Sequence, residues 1–104
     1  TAVVGMRYTF VLSVAANDLT INCAAVTDAI LGAVTIADDE GTGNSNSAAA
    51  NGTTHDRCLI DVSAGTVVAG SWVRFTALST TVWFVEGTVI SGDGSQAAVL
   101  FSSN

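Results

Sequence analysis

A histidine beside a carboxylate, in a chain rich in serine, is raw material for acyl-transfer chemistry, and His55-Asp56 is the one such pair here. A Ser-His-Asp device is defined by geometry rather than adjacency, however, and no nucleophile elbow of the G-x-S-x-G kind is present. His55 therefore reads as a surface histidine beside a turn. The carboxylate pairs Asp56/Asp61 and Glu86/Asp93 would serve as glycosidase acids only at a fixed separation, which nothing in the sequence sets. Asp38-Asp39-Glu40-Gly41, with Asn44 and Asn46, crowds together oxygen ligands that suit a hard cation. It lacks the ligand spacing of an EF-hand loop and reads as a solvated acidic loop. Asn51-Gly52-Thr53 fits the glycosylation acceptor pattern, which carries weight only alongside a secretory signal. Tyr8, Trp72 and Trp83 could stack on a sugar, although rings in alternating strands more often serve core or interface packing. No catalytic residue, cofactor site or metal site is assigned, and the chain is not expected to be an enzyme.

Cys23 and Cys58 are the only cysteines. Their spacing matches no zinc pattern, and two thiols complete a four-ligand site only if His55 and a carboxylate join them. Two small buried apolar residues is the first reading and a disulfide the alternative, since chain separation alone does not decide it.

Composition narrows the partners. The 104 residues fit one domain, near the small end for burying a core alone. Hydrophobic residues make up 49% and charged ones only 12%, about half the usual share, so the surface is expected to be partly covered by copies of the chain or by a partner. Nine acids against Arg7, Arg57 and Arg74 give a net charge of −6, without the clustered Lys and Arg that nucleic-acid backbones require. No run approaches the ~18 apolar residues of a membrane helix, no basic-apolar signal peptide opens the chain, and a start at Thr1 suggests a trimmed N-terminus.

The elements that must position any site are strands. Abundant Val, Thr, Ala, Ser and Gly, without Pro or Lys, suit pleated surfaces and tight turns. Met6–Val14 alternates with Tyr8, Phe10, Leu12 and Val14 on one face, and Leu19–Cys23 resumes the alternation after an Asn17-Asp18 turn, which predicts a hairpin from Arg7 to Cys23. In residues 24–37 Thr27-Asp28 could cap a short helix, but Gly32 and the β-branched Val34, Thr35 and Ile36 favour a turn followed by a strand. Asp38–Thr54 has no large apolar residue and reads as a long flexible loop. Strands follow at His55–Val62, Thr66–Ala69 and Ala97–Phe101, with turns at Ser63-Ala64-Gly65 and Gly92-Asp93-Gly94.

Gly70–Gly87 is the centre of the pattern: two alternating arms around a Ser-Thr-Thr turn, holding both tryptophans. Val73, Phe75 and Ala77 share one face and Trp72, Arg74 and Thr76 the other; Trp83, Val85 and Val89 oppose Phe84, Glu86 and Thr88. The predicted fold is all-β: one compact antiparallel β-sandwich or barrel-like domain of eight or nine short strands spanning residues 1–104. Val73, Phe75 and Val85 are expected inward, with Trp72, Arg74 and Trp83 as the candidate oligomer or capsid contacts.

Gly5–Leu12 (G-x-R-Y-T-F-x-L), the Leu-Thr-Ile-Asn strand and Asp28–Gly32 resemble small tailed-phage structural proteins. So do Asp61–Thr66 (DVSAGT), Gly70–Ala77 (GSWVRFTA) and Val82–Gly87 (VWFVEG). The chain is similar over most of its length to the all-β capsid decoration, or cement, proteins of phages of marine bacteria and cyanobacteria. That resemblance implies a homotrimer, with an isologous dimer as the alternative, bound to the major capsid protein on the outer surface of the virion. Related modules occur in head and tail fibres, which keeps a carbohydrate- or host-surface-binding module as the second reading.

Overall fold

The computed structural model of the chain describes residues 2–13, 17–39, 45–94 and 96–103. Eight strands run in the order β1 Arg7–Val11, β2 Leu19–Asn22, β3 Ala29–Asp38, β4 Asn46–Asn51, β5 Arg57–Ile60, β6 Trp72–Ala77, β7 Val82–Ser91 and β8 Val99–Ser102. A one-turn helix, α1 (Val62–Gly65), follows β5, and a 3-10 turn at Gln96–Ala98 leads into β8. The strands form a five-stranded sheet, β1-β6-β7-β3-β4, and a three-stranded sheet, β2-β5-β8. The all-β expectation holds, as two separate sheets rather than a closed barrel.

Period-two alternation builds the core. Val73, Phe75 and Ala77 of β6 and Val85 and Val89 of β7 are buried with Ile30, Val34 and Ile36 of β3, against Cys58, Ile60, Val99 and Phe101 of the smaller sheet. Each such Val, Ile or Phe side chain removed from water contributes ~1.5–3 kcal/mol. The Gly70–Gly87 hairpin forms as expected: β6 and β7 pair antiparallel with Phe75 opposite Val85 and Arg74 opposite Glu86. Residues 24–28 turn before β3 as predicted, and both cysteines are free, Cys58 buried as expected and Cys23 only half-buried.

Three expectations are corrected. Arg7–Cys23 is no hairpin: β1 pairs with β6, Tyr8 opposite Phe75, while β2 pairs with β5 in the other sheet. The Leu12 N–H still bonds the Ser71 carbonyl at 2.8 Å, so the chain clings to β6 up to Leu12 before crossing between sheets. Alternation looks the same whether a turn stays in one sheet or bridges two. Within Asp38–Thr54, Asn46–Asn51 forms β4, whose small alanines fit where larger residues would not: Ala48 and Ala50 face the core, opposite Val34 and Gly32 of β3. Residues 40–44 of that segment lie outside those described. Ser63-Ala64-Gly65 belongs to α1, and Thr66–Ala69 contributes only a single bridge, Val67 to Ser91.

The central pairing, β3 with β7, is parallel and couples ten-residue strands. Its ladder is interrupted between the Gly32–Val85 and Thr35–Thr88 pairs. Gly32 (φ +119°) and Gly87 (φ +154°) sit at this interruption with positive φ. A Cβ on Gly87 would collide with the Trp72 carbonyl oxygen and lie 2.8 Å from Val73 Cα, so only glycine lets β6 and β7 approach here.

One flank of the sandwich is closed, where β4 lies beside β8: Asn46 Nδ2 donates to the Gly94 carbonyl at 2.9 Å and Gln96 Nε2 to the Ser47 carbonyl at 3.3 Å. On the other flank the sheet edges are β1 and β2. Three strands do not cover five, and the inner face of β1 stays open, its Tyr8 50% exposed.

Candidate functional site

The chemistry-bearing residues turn out to hold the fold. Asn51 Oδ1 accepts from the backbone N–H of Thr53 and Thr54 at 2.9 Å each and of His55 at 3.1 Å, and its Nδ2 donates to Thr54 Oγ1 at 2.8 Å. The glycosylation-pattern asparagine is thus the knot of the turn that carries the chain from β4 to β5. His55 Nδ1 accepts from the Asn51 N–H at 3.3 Å, and the His55 carbonyl from the Ile30 N–H at 2.7 Å. Asp56 is buried between the strands, its carbonyl bonded by Cys23 N–H and its N–H bonded to the Ser102 carbonyl.

The other carboxylates hold separate posts. Asp61 Oδ1 caps α1 by accepting the Ala64 N–H at 2.9 Å and the Ser63 hydroxyl at 3.1 Å, and Asp18 Oδ1 accepts the Val62 N–H at 2.8 Å. Asp93 Oδ1 accepts the Ser91 hydroxyl at 2.8 Å in the turn after β7. Glu86 lies on the outer face of the larger sheet, across from Arg74. Of the oxygen-rich segment, Asp38, Asp39 and Asn46 are described and Glu40, Gly41 and Asn44 are not. Among the described residues no group of three or more His, Cys, Asp or Glu side chains is placed to hold a metal ion. Among them, too, no helix is long and apolar enough to cross a membrane.

Both thiols are held protonated. Burial pushes Cys58 from the ordinary 9.0 up to about 12. Cys23 rises to about 11, first through burial and then through the negative charges of Asp28 and Asp56. A nucleophile requires the opposite shift.

The candidate contacts divide between two faces. Trp72 and Arg74 share the outer face of the five-stranded sheet, the guanidinium carbon 5.2 Å from the centre of the Trp72 ring in a cation–π contact. The Arg74 Nε is buried and lacks a hydrogen-bond partner among the described residues. Register places Val11 beside Trp72, Thr9 beside Arg74, and Leu31 beside Phe84 on the same face. Val11 is 64% and Leu31 42% exposed, and no other described element packs over this surface. Its half-buried Phe84 is a residue that the sequence reading left unassigned. The alternation that puts Arg74 outward in β6 does the same for Phe84 in β7.

Trp83 lies on the opposite, inner face, in line with Val85. Its ring stands 5.8 Å from that of Tyr8, tilted by 39°, and Phe10 meets Phe75 edge-on at 6.0 Å. These rings line an open cleft of about 430 Å³ on the β1–β2 flank, together with Ile21, Asn22, Cys23 and Asp28. The three rings once grouped as a sugar platform therefore stand on two sides of one sheet.

Comparison with protein-family models, with curated proteins and with solved structures finds no match for this chain.

Proposed function

We propose that this protein is a virion structural protein, a decoration or cement subunit that binds the outer capsid surface as a homotrimer and stabilises the shell. The observation that carries the reading is the outer face of the five-stranded sheet, over which no described element packs: the Val11–Trp72 pair lies to one side of Arg74 and the Phe84–Leu31 pair to the other. Apolar side chains interspersed with polar ones (Thr9 and Glu86 directly across from Arg74, with Thr76 and Thr88) have the mixed composition of an association surface. Tryptophan and arginine are the residue types that most often dominate such interfaces. The resemblance of residues 5–12, 70–77 and 82–87 to phage decoration proteins supplies the setting. A charge-poor body repeated over a capsid needs no catalytic group, because many weak contacts add through multivalency. A glycan-binding module would need a flat ring platform, and the tilted Tyr8–Trp83 pair recessed in a cleft does not favour that reading.

Co-sedimentation with capsids stripped of the protein tests the proposal. Wild type is expected to pellet with the particles, and Arg74→Glu to bind at least about tenfold more weakly, as for loss of an interface anchor. Wild-type protein that stays in the supernatant at saturating concentration refutes it.

A further inference from the structure

The cleft on the β1–β2 flank is separate from the association face and has its own chemistry. Its floor is four aromatic rings contributed by three neighbouring strands: Tyr8 and Phe10 of β1, Phe75 of β6 and Trp83 of β7. Its volume, about 430 Å³, lies within the range of small-ligand sites, which are mostly apolar with a few placed polar groups. Among the described residues Asp28 is the one charged residue in the lining. No described group donates a hydrogen bond to its carboxylate. Arg57 does not neutralise the site from within: its Nε bonds Asn22 Oδ1, and its side chain lies outside the lining. Cys23, in the same lining, has its thiol pushed up first by burial and then by the negative charges of Asp28 and Asp56.

Ring faces are the negative part of an aromatic quadrupole, so a floor of rings with a carboxylate in the lining favours a positive charge on an apolar body. A neutral apolar ligand would leave Asp28 partly desolvated and unpaired, and an anion would be repelled. We propose that this cleft binds an organic ammonium group carried on an aromatic or alkyl body, with the body over Trp83 and Phe75 and the nitrogen at the Asp28 carboxylate. A free amine and a lysine side chain present the same chemistry, and the experiment separates them.

Trp83 lines the cleft and supplies a readout. Its fluorescence, in a Trp72→Phe background, is titrated with phenethylamine, with its neutral analogue 2-phenylethanol, and with a short peptide carrying one lysine between valines. Phenethylamine, the peptide or both are expected to change the emission saturably, with 2-phenylethanol at least about tenfold weaker and Asp28→Asn erasing the difference. Whichever of phenethylamine and the peptide binds more tightly identifies the source of the cation. Equal binding of amine and alcohol by the protein that keeps Asp28 overturns the proposal. So does the lack of a saturable change with every probe, or a change that follows protein concentration alone, which would mean that a second copy fills the cleft. None of these outcomes bears on the outer face, so this proposal and the capsid proposal fail independently.

Discussion

The polar side chains around His55 and α1 are engaged in local hydrogen bonds. Asn51 gathers three backbone N–H groups, His55 spends Nδ1 on the same turn, and Asp61 caps a helix. Adjacency in sequence, as in His55-Asp56, says little about which atoms meet. The thiols make a quantitative prediction. The folded Cys58 keeps its proton up to about 12, whereas the unfolded thiol releases it near 9.0. Its stabilising contribution is therefore fully present below pH 9 and is lost as pH rises from about 9 to 12. Denaturant midpoints measured across that window are expected to fall, and to fall less in Cys58→Val; equal slopes in the two proteins would show that the thiol plays no part.

Among the elements, the β6–β7 hairpin was the most legible, because its alternation is strict and its turn is short. The inward Val73, Phe75 and Val85 and the outward Trp72 and Arg74 followed directly from period two. The Arg7–Cys23 hairpin misled because alternation does not say which sheet a strand joins, and the polar, small-residue β4 carries no apolar signal of its own. Trp83 shows a third limit. It is inward by alternation yet reached by solvent, because the smaller sheet ends before covering it, and sheet size is a long-range property. The parallel β3–β7 ladder and its glycine kink were equally invisible. Gly87→Ala tests the kink: the collision with β6 is expected to cost roughly 3 kcal/mol in chemical denaturation. Thr88→Ala, one residue on and facing outward, is expected to cost less than about 1 kcal/mol. Similar losses for both would remove the close-approach argument.

For the whole molecule, asymmetry between the sheets is the organising fact. One flank is closed by β4 and β8, the other opens into the aromatic cleft, and the outer face of the larger sheet bears apolar residues with no described element over them. Low charge is what the proposed association role would call for, since a contact surface has little use for solvated side chains. The buried Arg74 Nε without an acceptor is a destabilising feature that Arg74→Met removes, so that variant is expected to fold with an unchanged or higher Tm. The most direct test is native mass measurement of wild type and Arg74→Met at ~100 μM, well above a micromolar dissociation constant. The account predicts wild type at about three times the 10.5 kDa chain mass and the variant shifted to single chains with its Tm retained. Wild type found only as single chains, or a trimer untouched by the substitution, would contradict it.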